Sequence, residues 1–156
     1  MTSIRPAERT DVALLHSLIC EMAEYERLRI LTTEKSLLER GFGPQRAFRA
    51  LIAEHYGEAA GYALFFNCYS TFQGHGLFLE DLFIRSKFRN KGVGDTLLSQ
   101  VASIALAEGC FGVMMNVLAW NVPAIKFFEQ RHAKFMEDWK TACFDGEALR
   151  YLTAAK

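Results

Sequence analysis

Ten residues just past the middle of the chain, RNKGVGDTLL at positions 89–98, combine the residue types that hold phosphate groups. Glycine lets a backbone approach a ligand closely and turn its N–H groups toward one concavity. The apolar pattern that follows predicts a helix, and a helix start adds N–H donors and partial positive charge. Arg89 and Lys91 add full charges. The stretch therefore indicates a binding site for a pyrophosphate.

Three other interpretations of this stretch compete with a pyrophosphate site. A P-loop requires Gly-Lys-Ser/Thr, whereas Gly94 is followed by Asp95 and Thr96. A dinucleotide-binding loop has a third glycine and follows the first strand of a parallel unit, whereas the strand predicted here closes an antiparallel meander. On local sequence alone, a solvated basic turn that uses glycine only for its geometry remains open.

Two adjacent carboxylates precede the loop in FLEDLFI, residues 78–84. Glu80 is a candidate for removing a proton from a substrate, because it follows apolar Leu79 on a predicted strand that leads to the loop. The alternative for Glu80 is an exposed side chain or an ion-pair partner. Asp81 points to the other face of a regularly alternating strand, so we expect it to have a structural role, such as binding a neighbouring backbone group.

Composition limits the classes of function. The chain has 156 residues, 51% of them hydrophobic, which favours one ordered domain over residues 1–156. Its 18 basic residues balance 18 acidic ones, so we expect no nucleic-acid partner. The four cysteines form no CxxC pair and no zinc-type spacing, which predicts free thiols and no metal. We find neither a signal core nor a membrane-spanning run, and we therefore expect a soluble, cytoplasmic protein without a membrane partner.

Periodicity predicts the element order β-α-α-β-β-β-α-β-α-β-β. Helices are predicted over 12–25, over 33–40 with a left-handed stop at Gly41, over 93–108, and from Pro123 to 131. Strands near 48–54, 58–69 and 76–84 form an antiparallel meander with a tight turn at Gly57. The apolar run 110–119 predicts a strand buried on both faces, and two further strands are predicted near 136–144 and 148–153.

The order of motifs resembles the GNAT superfamily of acetyl-CoA-dependent N-acetyltransferases. The superfamily signature R/Q-x-x-G-x-G/A is matched by Arg89, Gly92 and Gly94, after FLEDLFI and before WNVPAIKFF at residues 120–128. EMAEYE at 21–26 and LTTEKSLLERGFG at 31–43 are similar to one branch, the diamine (spermidine/spermine) and thialysine N-acetyltransferases. The resemblance implies an α/β GNAT fold, with a mixed, mostly antiparallel twisted sheet of about seven strands flanked by about four helices.

The resemblance also implies a cosubstrate and site residues. Acetyl-CoA would place its pyrophosphate on the glycine loop and pair its pantetheine arm with the fourth strand like an added strand. Glu80 would remove the ammonium proton through water, and a backbone N–H near the end of the fourth strand would stabilise the oxyanion. Tyr25 and Glu26 match the substrate region, and Glu137 would approach the substrate from the C-terminal part of the chain. The cofactor-binding residues implied are Leu82, Phe83, Ile84, Arg89, Asn90, Lys91, Gly92, Val93, Gly94, Asp95, Asn121, Ala124 and Phe128.

Several positions depart from the pattern of the branch. Phe128 stands where the family has a tyrosine that protonates the CoA thiolate. A positioned acid contributes about 10²–10⁴ in rate, although a thiolate leaves moderately well without one. Ala124 replaces a serine, and Ala119 replaces an acid of the diamine branch. His132 replaces a glycine after a helix, where histidine tolerates the left-handed geometry of a helix stop.

These observations predict transfer of an acetyl group from acetyl-CoA to a primary amine of a small cation, such as a polyamine or thialysine. Because Phe128 lacks a hydroxyl, a CoA-binding regulatory or sensing module with weak or no turnover is the alternative from another class. An unrelated nucleotide-binding α/β protein is a third interpretation. The resemblance further implies a homodimer.

Overall fold

The computed structural model describes residues 1–154, which divide into a compact unit Met1–Asn116 and a second unit that begins at Val117. The first unit contains the following strands and α-helices: β1 Thr2–Pro6, α1 Val12–Glu26, α2 Glu34–Phe42, β2 Arg49–His55, β3 Glu58–Ser70, β4 Gly74–Ile84, α3 Val93–Ala107 and β5 Val113–Met115. The second unit contains α4 Val122–Glu129 and α5 Gly146–Ala154. No helix within residues 1–154 is long and apolar enough to cross a membrane.

The strands form one sheet in the order β1-β2-β3-β4-β5. The first four strands are antiparallel neighbours, and β5 runs parallel to β4. The predicted antiparallel meander is therefore confirmed. Its tight turn is also confirmed, because Tyr56 and Gly57 both have positive φ angles, 51° and 80°, as a two-residue hairpin turn requires.

Each face of the sheet carries its own apolar cluster. On one face, α3 residues such as Val93, Leu97 and Val101 pack with Phe65 and Leu79 of the sheet. The other face packs against α1, through a cluster that contains Leu15, Leu18, Tyr62, Leu64 and Phe83. The helical spacing predicted for α1 and α3 therefore corresponds to their buried faces. These two helices fix β4 from both sides.

The predicted end of α2 at Gly41 is wrong. The Thr33 hydroxyl does accept the Ser36 N–H at 3.2 Å, so the predicted cap is confirmed. The helix then continues through Gly41 to Phe42 and ends at Gly43, whose φ of −82° is not left-handed. A Cβ on Gly41 would lie 2.5 Å from the ring of Phe48, so this glycine is required for close packing and not for its backbone conformation.

The two strands predicted near 136–144 and 148–153 are also wrong. Within residues 1–154 the sheet has five strands and not about seven, and the chain has five α-helices and not about four. The segment 148–153 lies within α5. The Asp145 carboxylate accepts the N–H groups of Glu147 and Ala148 at 3.1 Å, which stabilises a helix start where we expected a turn before a strand.

The strand predicted over 110–119 is shorter than expected and is not buried on both faces. Only Val113–Met115 pairs, in register with 77–79 of β4, and its side chains are half-buried or exposed. The pairing ends at Leu79, directly before an irregularity in β4 at Glu80. A bulge bends its strand and interrupts the ladder, which accounts for the early end of β5.

Candidate active site

The glycine loop has the backbone geometry of an anion-binding turn. Asn90 and Gly92 have positive φ angles of 58° and 78°. Helix α3 begins at Val93, as predicted, and no side chain of the described residues caps it at Gly92. The N–H groups of the first helical turn therefore point to a position where an anion would be stabilised. Asp95 lies in the same turn.

Arg89 is fixed beside this loop by two contacts. Its Nε donates to the carbonyl oxygen of Ile84 at 2.9 Å, at the end of β4. Its guanidinium carbon lies 4.3 Å from the centre of the Tyr25 ring, which is a cation–π contact. Tyr25, predicted as a substrate residue, thus contacts a residue predicted to bind the cofactor. The C-terminal end of α1 and the glycine loop are neighbours.

A cavity of about 420 Å³ opens between the end of α1 and the segment before the loop. Arg85 on its wall donates from Nε to Glu21 at 2.8 Å and from Nη1 to the carbonyl of Ala59 at 2.8 Å. The hydrogen bond to Glu21 raises the pKa of Arg85. Lys87 pairs with Glu58. The cavity is lined by Glu21, Glu24, Tyr25, Phe83, Arg85, Ser86, Lys87 and Arg89.

Glu80 occupies a bulge in β4. Leu64 of β3 lies opposite Asp81, and Phe65 lies opposite Leu79, so Glu80 has no partner in β3. Its side chain is exposed. A bulge re-aims the side chains around it, and such irregularities are frequent next to active sites. Glu80 is therefore accessible to water and to a substrate, as a residue that removes a proton through water must be.

Asp81 has a half-buried carboxyl group that the sequence analysis assigned only a structural role. Tyr62, which is fully buried, donates its hydroxyl to Asp81 at 2.9 Å, so the partner is a side chain and not the expected backbone group. Burial, together with the negative charges of Glu80 and Glu26, raises the pKa of Asp81 to about 6, although the Tyr62 hydrogen bond acts to lower it.

Three carboxylates thus interact around the Tyr62 hydroxyl. Burial raises the pKa of Glu26 at the end of α1. Burial, followed by the charges of Asp81, Glu26 and Glu80, raises the pKa of Tyr62. Negative charge held in a partly desolvated position attracts a cation strongly. The cluster unites the predicted Glu26 and Glu80, but Asp81 and Tyr62 were missed because their pairing depends on the register of the bulged strand.

The second unit carries the remaining predicted positions. Asn121 precedes α4, and its side-chain oxygen accepts the Ala124 N–H at 3.3 Å, so it caps this helix. Phe128 is buried, and its ring makes an edge contact with the ring of Phe127 at 5.1 Å. His132 has a φ of 65°, which confirms the predicted left-handed stop. Exposed Glu137 lies in a segment without regular structure.

Comparison with known proteins identifies relatives along nearly the whole chain. The acetyltransferase (GNAT) family model matches residues 14–133. A thialysine N-epsilon-acetyltransferase from Sus scrofa is 34% identical, and the alignment covers 96% of this chain and 95% of that protein. An L-ornithine N5-acetyltransferase from Arabidopsis thaliana is 31% identical, with 94% of this chain and 86% of that protein covered.

Solved structures share the fold at lower identity. An integron cassette protein from the mobile metagenome of V. cholerae matches with a TM-score of 0.81 at 20% identity, covering 99% of this chain and 98% of that one. An aminoglycoside acetyltransferase from an uncultured soil metagenomic sample, in complex with sisomicin, matches with a TM-score of 0.77 at 13% identity, covering 92% and 95%. The α/β fold expected from the sequence is confirmed, and together with the family model and the relatives it establishes that the chain belongs to the acetyltransferase (GNAT) family and is an acetyltransferase.

Proposed function

We propose that this acetyltransferase moves the acetyl group of acetyl-CoA to a primary amine of a small substrate with two or more positive charges. The observation that carries the proposal is the cluster of Glu26, Glu80 and Asp81, on and beside a strand whose end leads into the glycine loop. The reaction is a direct attack within a complex that holds both substrates. The relatives' names, which specify thialysine and L-ornithine, support a diamine-like substrate.

The geometry of β4 supports the proposed binding of the pantetheine arm. Among the described strands, β5 pairs with β4 only over 77–79. The backbone of Leu82, Phe83 and Ile84 lies beyond that pairing and leads toward the glycine loop. An extended amide chain can add to such an edge through main-chain hydrogen bonds. The pyrophosphate then reaches the N–H groups at the start of α3.

The proton balance gives the carboxylates separate functions. An alkyl ammonium has a pKa of about 10 and must lose a proton before its nitrogen can attack the thioester. In the proposed step Glu80 accepts this proton through water, the C–N bond forms, and the C–S bond breaks. Asp81 and Glu26 stabilise the ammonium groups of the bound substrate. After the attack the nitrogen carries one proton more than the amide product, and it releases this proton to water as the C–S bond breaks. The departing CoA thiolate takes up a proton from water or from a tyrosine.

Phe128 cannot protonate the CoA thiolate in the last step. Its side chain has no proton to give, so the assignment of an acid to this position is excluded by residue type. Asn121, Ala124 and Phe128 keep their predicted assignment as cofactor residues, and Glu137 keeps its assignment to the substrate. A CoA-binding module with weak or no turnover is the competing function, and Phe128 is the observation that favours it.

A panel of amines distinguishes these functions. We expect CoA thiol release with thialysine, ornithine or spermidine to exceed release with tyramine, which carries one positive charge. The absence of release with every amine, together with saturable binding of acetyl-CoA, would favour the module. Protection against heat by ATP or NAD but not by acetyl-CoA would contradict both functions.

The assignment of Glu80 is tested by Glu80→Gln, with Glu39→Gln on the exposed surface of α2 as the matched control. Loss of a general base lowers kcat by about 10²–10⁴. We expect such a loss for Glu80→Gln at every pH where the wild type is active, without a matching rise in the KM for acetyl-CoA. A change of less than about 10-fold in kcat would contradict this role.

We further propose that residues 1–156 act as one catalytic domain and that the protein is a cytoplasmic homodimer. The dimer is supported by the resemblance and by the exposed aromatic residues Tyr69 and Phe72 at the β3–β4 hairpin, which are 77% and 94% exposed. Light scattering coupled to size-exclusion chromatography measures its mass. A monomer at the concentrations used for the kinetic assays would contradict this proposal.

A further inference from the structure

Three side chains with metal-binding atoms meet at the end of β4 that lies farthest from the glycine loop. His75 lies near the start of β4, Glu108 follows α3, and Cys110 lies in the segment that leads to β5. Their nitrogen, oxygen and sulfur atoms all lie within 4.8 Å of one another. We propose that His75, Glu108 and Cys110 bind a divalent metal ion of the zinc type.

The donor set and its spacing suit this ion. Imidazole, thiolate and carboxylate are the ligands that zinc takes in proteins, with three protein ligands and one water forming an open tetrahedral site. Bond lengths of about 2.0–2.3 Å place neighbouring ligand atoms about 3.3–3.8 Å apart in a tetrahedron. His75 Nδ1 already lies 3.6 Å from Cys110 Sγ. Only the Glu108 carboxylate must move, by about an ångström, to complete the set.

The surrounding side chains orient these ligands. His75 Nε2 lies 3.3 Å from the Asn67 side-chain oxygen, so a hydrogen bond from Nε2–H directs the lone pair of Nδ1 toward Cys110. Arg49 donates to the two oxygens of Glu108 at 2.5 and 2.9 Å and to the Asn67 oxygen at 3.2 Å. Metal-binding histidines and carboxylates characteristically have such outer partners.

Charge and position are compatible with a stabilising role. Binding releases the thiol proton of Cys110 to solvent, so a doubly charged ion adds only one net positive charge beside Arg49. The ion would join the start of β4, the end of α3 and the approach to β5. Glu80, the proposed base, is five positions from His75, which is about 17 Å along the strand. The site is therefore distinct from the place of acetyl transfer.

The sequence predicted no metal, because His75 and Cys110 are 35 positions apart and share no motif. Antiparallel pairing of β3 and β4 together with the crossover through α3 brings them into contact. The cluster is a property of the fold and not of local spacing.

Cobalt titration of chelator-treated protein tests the proposal, since a cobalt–thiolate bond gives a charge-transfer absorption in the near ultraviolet. We expect a band that saturates at one ion per chain, is lost in Cys110→Ser and is displaced by zinc. Cys20→Ser is the matched control, because Cys20 Sγ lies 3.9 Å from His16 Nδ1 in a cysteine–histidine pair outside the proposed site. This variant should keep the full band. The absence of a band in the wild type, or its persistence in Cys110→Ser, would overturn the proposal.

Affinity and stability give a second readout. His75→Ala and Glu108→Gln should each weaken cobalt binding by at least about 10-fold, the loss typical even of outer partners. Zinc should raise the Tm of the wild type and of Cys20→Ser but not that of Cys110→Ser. Circular dichroism and acetyl transfer in the absence of metal report whether each variant is folded. Equal zinc stabilisation of the wild type and of a folded Cys110→Ser variant would also refute the site.

Discussion

Replacement of Asp81 by asparagine tests the electrostatics of the carboxylate cluster. Burial raises the pKa of Asp81 from 3.8 to about 6. Asparagine has nearly the same shape and keeps an oxygen that can accept the Tyr62 hydroxyl, which now lies 2.9 Å from the carboxylate. The substitution therefore removes the ionisation while retaining the hydrogen bond, so its effect on stability should depend on pH.

The sign and size of this effect follow from the direction of the pKa shift. Because the folded protein holds the Asp81 proton more tightly than the unfolded chain, the contribution of Asp81 to stability is complete below about pH 4. This contribution is lost as the pH rises through about 6. The difference between 3.8 and about 6 is about 2 units, and at 1.36 kcal/mol per unit it corresponds to about 3 kcal/mol.

Urea unfolding of both proteins between pH 4 and pH 8 measures this difference. We expect the free energy of unfolding of Asp81→Asn, relative to the wild type, to increase by about 3 kcal/mol between these limits. Glu39→Gln should show no such trend. Parallel stability profiles for the wild type and Asp81→Asn would refute the raised pKa.

The pH profile of activity gives a second test of Asp81. The kcat/KM of the wild type for a diamine should fall below about pH 6 as Asp81 is protonated, and the kcat/KM of Asp81→Asn should show no such fall.

Three further substitutions have expected outcomes. Gly92→Ala should raise the KM for acetyl-CoA and destabilise the fold by about 1–2 kcal/mol, because a φ of 78° strains an L-residue; an unchanged KM in steady-state kinetics would contradict its role in the loop. Gly61→Ala should lower the free energy of unfolding in urea by about 1–3 kcal/mol, since an added Cβ would overlap the Phe83 carbonyl oxygen. An unchanged free energy of unfolding would show that β3 and β4 can move apart at this point without cost. Phe128→Tyr should raise single-turnover rates if thiolate departure limits them, and unchanged rates would show that the missing acid is not limiting.

Several features that depend on neighbouring residues in the sequence were predicted correctly, whereas several that depend on contacts between distant residues were not. The start of α3 at Val93 and the left-handed His132 follow from local geometry, and both were predicted. Gly41 was misassigned because the reason for a glycine there is the close packing of the Phe48 ring, which leaves no room for a Cβ and cannot be read from neighbouring residues in the sequence. The strand predicted near 148–153 was wrong because the Asp145 side chain caps a helix there, and no strand of the described residues pairs with this segment.

Glu80, the unpaired residue of the β4 bulge, connects the unexpected position of Asp81 and the early end of β5 pairing with the proposed chemistry. In a strictly alternating β4, Asp81 would share the face of Leu77 and Leu79, which is buried against α3. The bulge at Glu80 reverses the alternation, so that Leu82 packs with the α3 cluster and Asp81 reaches Tyr62 on the α1 side. The bulge thus leaves Glu80 exposed and directs Asp81 into a half-buried position where its pKa is raised. It also coincides with the end of β5 pairing, next to the part of β4 where the cofactor is proposed to bind. A strictly alternating strand predicts none of these three features.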